Sequence, residues 1–148
     1  MSDRESANIT KEKMTVLYVK PGEKPKRIEI ENDLEALQRA VGGYIEAVYP
    51  YEDPVALIVN EEGKLNGLPL NRALRDEDND IYDIVAGTFL VVGLGESEFE
   101  SLTPALMEKY EKLFHSPEAF LNLNGHLTVI SMPEPQARKS AKERGEAR

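Results

Sequence analysis

Arg72 and Arg75 stand three residues apart in the stretch NEEGKLNGLPLNRALRDE, residues 60–77, next to Asn71 and downstream of Gly63 and Gly67. Two guanidiniums on one face can clamp a carboxylate or phosphate through paired N–H donors, and glycine turns can add backbone amides for the same anion. For that geometry NRALRDE would form one helical turn capped by Asn71, because residues three apart on a helix are neighbours. The competing arrangement is local: the arginines pair with acids such as Asp76 or Glu77, and Pro69 fixes the turn. The ligand-binding candidates are therefore Asn71, Arg72, Arg75, Gly63 and Gly67, with an anion as their target.

Other chemistry fails on spacing. Gly63 and Gly67 flank Lys64, but a phosphate-binding P-loop needs GxxxxGK followed by Ser or Thr at a helix start. Gly93 and Gly95 follow an apolar run, yet the third glycine of a dinucleotide fingerprint would fall at Glu98. Asp76, Asp78 and Asp80 alternate like the opening of a calcium loop, which then requires Gly where Ile81 stands and Glu where Gly87 stands. That leaves an acidic turn and no metal site. His115 and His126 are the two histidines, neither with a partner at dyad or ligand spacing. No catalytic residue and no cofactor is nominated, and a non-enzymatic protein is expected. Tyr44, Tyr49, Tyr51 and Tyr82 offer stacking surface, although aromatics near strands commonly serve core packing.

The chain has 148 residues, 41% of them hydrophobic and 30% charged, which suits one soluble domain with a sizeable core. It holds no cysteine, so disulfides, thiol catalysis and thiolate metal sites are excluded. The opening MSDRESANITKEK has no apolar segment, and nowhere do enough apolar residues run together to span a bilayer. A cytoplasmic protein without membrane contact is expected. Residues 14–133 hold 21 acids and 10 bases, net −11, while residues 134–148 are mildly basic. A field of that sign repels a phosphate backbone and disfavours direct nucleic-acid binding.

The elements that must position these residues follow from periodicity. MTVLYVK and PKRIEIEN, separated by Pro21-Gly22, read as a hairpin, the second run with Ile28 and Ile30 on one face. Asn32 or Asp33 caps a helix LEALQRAVG, stopped by Gly42 or Gly43. YIEAVYP and VALIVN form a second hairpin around YEDP, and Gly63 takes a positive φ in the turn that follows. The run IYDIVAGTFLVVG, residues 81–93, reads as one central strand bent at Gly87. Thr103 and Pro104 start a second helix with a stripe of Leu106, Tyr110, Leu113 and Phe114. A turn over 118–123 and a strand over 126–131 complete a single domain, residues 14–133, between disordered polar tails at 1–13 and 134–148. The fold class expected is α+β, a mostly antiparallel sheet of four to six strands with two helices packed on one face.

The succession LEALQRAVGGYIEAVY, NEEGKLNGLPLNRALRDE, IYDIVAGTFLVVGL and SLTPALMEKYEKLF resembles a family of small domains of unknown function found in bacteriophages, plasmids and conjugative elements, over about residues 14–120. The resemblance implies an accessory protein of a mobile element, in the cytoplasm of a bacterial host, that interferes with a host defence or DNA-processing protein by binding. One form of that function is an acidic surface that engages a host protein or mimics the charge of DNA. The other is a sponge for a nucleotide-like anion, held by Asn71, Arg72, Arg75 and the amides near Gly63 and Gly67 in a pocket at a homo-oligomer interface. An enzyme of unrecognised type is the third reading.

Overall fold

The computed structural model describes residues 12–132. The expected tails at 1–13 and 134–148 lie outside those residues except for Glu12 and Lys13, and Lys13 already begins the first strand. The described elements are β1 (Lys13–Val19), β2 (Lys26–Glu31), α1 (Leu34–Val41), β3 (Ile45–Val48), β4 (Val55–Asn60), β5 (Leu70–Arg75), β6 (Ile81–Ala86), β7 (Phe89–Leu94), β8 (Phe99–Glu100), α2 (Pro104–Leu113), β9 (Glu118–Leu123) and β10 (His126–Ser131). The main sheet runs β2-β1-β7-β4-β3 with β8 beside β7, and all its pairings are antiparallel. The hairpins β5–β6 and β9–β10 form separate two-stranded sheets. This is the α+β class that the sequence implies, with both early hairpins where the alternation puts them.

Strict alternation along β1, β4 and β7 builds two cores. Leu17, Val19, Val55, Leu57, Phe89 and Val91 face one side of the sheet, and Met14, Val16, Ala56, Ile58, Leu90 and Val92 face the other. Leu37 and Val41 of α1 close the second side, while Met107 and Tyr110 of α2, with Leu74 and Val85 of the β5–β6 hairpin, close the first. The two helices thus cover opposite faces and do not share one as expected. The physical reason is in the strands: VALIVN in β4 is buried at all positions, and a strand apolar on both faces needs cover on both.

Both helices begin as their sequences require. Asp33 accepts the Ala36 N–H at 2.8 Å, and Gly42 closes α1 in the left-handed region at φ +79°. Thr103 accepts the Leu106 N–H at 3.2 Å, with Pro104 at the first helical position of α2. Leu113, expected in the apolar stripe of α2, is exposed instead, as is Leu34 at the start of α1. Among the described residues no helix is long and apolar enough to cross a membrane.

Three expected elements differ. Residues 118–123, expected as a turn, form β9, paired antiparallel with β10. The run 81–93 is two strands in different sheets: Gly87 at φ +87° turns the chain out of β6, its N–H donating to Pro69 O at 2.7 Å. NRALRDE is no helical turn, because its first residues lie in β5, paired antiparallel with β6 through two bulges. Leu74 and Val85 of that hairpin dock into the core, and this tertiary burial outweighs the local helical pattern.

Candidate functional site

Of the residues nominated as an anion clamp, Asn71, Arg72 and Arg75 share one strand, with the Arg72 donors turned inward, whereas Gly63 lines a separate cavity with Lys64 and Asp83. Arg72 is 2% exposed. Its Nε and Nη2 donate to Phe114 O at 3.1 and 2.9 Å, Nη2 donates to Glu23 O at 2.7 Å, and Nη1 donates to Asn71 Oδ1 and O at 2.8 and 3.4 Å. The charge therefore rests on the carbonyl that ends α2, where the helix dipole favours a cation. Burial pushes the Arg72 pKa down and Glu118 opposes that; a guanidinium stays protonated all the same. Asn71, fully buried, donates to Val19 O and Gly87 O at 3.0 and 2.8 Å.

Arg75 pairs with Glu118 at 3.2 Å, and the other Glu118 oxygen accepts the Ala73 N–H at 2.8 Å. Arg72 and Arg75 do line one cavity, of about 70 Å³, far below the several hundred Å³ of a small-molecule site. The Gly63 and Gly67 amides donate within their own turn, to Asn60 O and Lys64 O, each at 3.1 Å. Gly67 and not Gly63 takes the positive φ. Gly63 is required for a different reason: a Cβ there would meet Ala86 O at 2.7 Å. The cluster is the joint that fastens the β1–β2 turn, β5, the bend at Gly87 and the end of α2, and the expected helical clamp is corrected to a strand with a buried Arg72 beside an Arg75 paired with Glu118.

A larger concavity opens next to it. Pro50, Tyr51, Glu52 and Asp53 of the β3–β4 turn, the tip and flank of the β5–β6 hairpin at Arg75, Asp76, Glu77, Asp78 and Tyr82, and Lys109, Tyr110 and Leu113 of α2 line a groove of about 790 Å³. Its floor is aromatic: the Tyr51 and Tyr110 rings lie 5.1 Å apart at 47°. Its rim is acidic, with five carboxylates against two bases, and both bases are already bonded to acids. Asp53 Oδ2 accepts from Lys109 Nζ at 2.6 Å and from the Tyr110 hydroxyl at 2.7 Å. The hairpin tip is folded by Asp76, whose Oδ1 accepts the Asp78 and Asp80 N–H groups at 2.9 Å each. The carboxylate oxygens of Asp76, Asp78 and Asp80 come within 4.8 Å of one another and are exposed, as in a solvated acidic turn.

The Lys109 ammonium, and after it the Tyr110 hydroxyl, hold the Asp53 carboxyl below its ordinary pKa. Burial, and then the bond to Asp53, push the Tyr110 phenol well above the tyrosine range. A carboxyl whose folded pKa is depressed stabilises the fold at neutral pH and loses that contribution as pH falls from the ordinary carboxylate range through the lower folded value. Denaturant titrations over an acid pH series should show a smaller acid-induced loss of stability for Asp53→Asn than for the unaltered protein; equal losses would count against the assignment.

Sequence reasoning found Tyr51 and Tyr82 as stacking candidates and Tyr110 as a core residue, and read Asp53 as a turn former. It missed that the four meet, because Asp53 and Tyr110 are 57 positions apart and no local periodicity links a turn to a helix face. His115 follows α2 and His126 opens β10, on separate elements.

Residues 14–115, more than half of the chain, match the family described as domain of unknown function (DUF3846). No curated protein and no solved structure gives a significant match. The match contains every residue lining the groove and stops before the β9–β10 hairpin.

Proposed function

The chain belongs to the DUF3846 family, and on that premise we propose that it is a non-catalytic accessory binding protein of a phage or other mobile element. It acts in the bacterial cytoplasm by engaging a basic surface of a host defence or DNA-processing protein. The observation that carries this reading is the groove of about 790 Å³ with five carboxylates on its rim and its two bases already paired, on a core of net −11. Unpaired negative potential over a concave surface speeds encounter with a basic partner and rejects acidic ones. The resemblance to domains of mobile elements supports the setting.

The anion-sponge reading has less support, because the donors it relies on bond to the protein's own oxygens: Arg72 to carbonyls, Arg75 to Glu118. The reading is tested by passing host lysate over the immobilised full-length protein and measuring the affinity of each retained protein against salt. The expected partner is basic and weakens about tenfold or more between about 0.1 and 1 M salt, as the Debye length shrinks from about 10 to about 3 Å. Salt-insensitive capture, or retention of a nucleotide in place of a protein, would overturn it.

A further inference from the structure

Lys109 already seats a cation at the groove. Its ammonium contacts the Asp53 carboxylate at 2.6 Å and lies 5.7 Å from the Tyr110 ring centroid. Charge–quadrupole attraction operates at that range. Tyr51 packs beside Tyr110, and Tyr82 lines the same groove as Tyr51. Tyr82 is 53% exposed on β6, a wall with one face toward solvent. Asp76, Glu77 and Asp78 stand beyond it on the same rim.

We infer that Tyr51, Tyr82 and Asp53, with the buried Tyr110 holding Asp53 through its hydroxyl, form a cation-accepting subsite that takes an arginine side chain from a basic segment of the partner protein. The inference rests on the acidic-groove reading above and deepens it. Arginine fits better than lysine because a guanidinium stacks on aromatic faces and pairs with a carboxylate through parallel N–H bonds. Pro50 and Leu113, which also line the groove, offer carbon surface to the methylenes of the arginine and its neighbours. The groove volume of about 790 Å³ is in the range that buries a ligand of drug size, or a few residues of a peptide. Lys109 is then an internal competitor for Asp53, and the incoming guanidinium must share or displace it.

The test is calorimetric titration of the full-length protein with a hexa-arginine peptide, and with hexalysine, hexaglutamate and spermidine for comparison. Hexa-arginine should bind most tightly and hexaglutamate not at all. Tyr82→Ala, at an exposed position, should weaken hexa-arginine binding by about three- to tenfold. Lys109→Met should strengthen it by about fivefold. Lys112→Met makes the same change in net charge on an exposed residue that pairs with Glu108, and should change it by less than about twofold. If hexa-arginine binds in a salt-dependent way but Tyr82→Ala is neutral and Lys109→Met matches Lys112→Met, the acidic-surface reading stands and the subsite is wrong. Spermidine binding as tight as hexa-arginine would replace a protein segment by a polyamine as ligand. No binding of any cation would overturn both.

Discussion

Replacing Arg72 with methionine is expected to destabilise the protein by about 3 kcal/mol, a large fraction of the stability of a domain this size. Two effects oppose each other at this position. A buried charge is costly, and exchanging one for an apolar side chain of similar length can be neutral when its partners are exchanged with it. Here the partners cannot leave: Phe114 O and Glu23 O belong to the main chain, and Asn71 Oδ1 belongs to a side chain that is itself fixed by Val19 O and Gly87 O. Removing the guanidinium strands Phe114 O and Asn71 Oδ1 in the interior, at about 1–3 kcal/mol for each one that water does not reach, while Glu23 O belongs to an exposed residue and is only partly buried. Arg72→Lys should lose less, since the charge stays near the helix C-terminus while the fork that reaches four acceptors is lost. Urea denaturation of both variants gives the values. An unchanged midpoint for Arg72→Met would contradict the structural role, and would return Arg72 to the ligand-binding candidates.

Phe89→Ala should cost about 3–5 kcal/mol, the range for emptying a buried aromatic site. Phe89 is fully buried in β7, between β1 and β4 in the main sheet. Its ring meets Phe114 edge to face at 5.2 Å and 77°. The same Phe114 supplies the carbonyl that Arg72 holds, so the two substitutions act on one joint. Residues that share a partner do not act independently. The double variant Arg72→Met, Phe89→Ala should therefore lose less stability than the two single losses added together. Strict additivity in denaturant titrations would show that the core face and the arginine joint are separate.

These cases mark what the chain makes legible. The β1–β2 and β3–β4 hairpins, the Asp33 and Thr103 caps and the class of the fold follow from patterns within a dozen residues, where period and cap chemistry act directly. NRALR misleads for the same reason: its local signals are polar and helical, while its strand geometry is set by pairing with β6 and by carbonyls of Val19, Glu23 and Phe114 far away in sequence. Gly63 reads as a turn former and is a glycine because Ala86 O approaches it. The groove is the same lesson on the functional side. Each of Tyr51, Asp53, Tyr82 and Tyr110 has an ordinary local explanation, and only the packing of a turn, a hairpin and a helix puts aromatic faces beside carboxylates.

The central claim is that this protein recognises positive charge at the groove, with Arg72 and its neighbours serving the fold. Its most direct test is a backbone amide NMR titration of the full-length protein with hexa-arginine and, separately, with a nucleotide. The account predicts hexa-arginine shifts concentrated at Tyr51, Asp53, Asp76, Asp78, Tyr82 and Lys109, and none from the nucleotide. Nucleotide-induced shifts centred on Gly63, Gly67, Asn71 and Arg72 would contradict it.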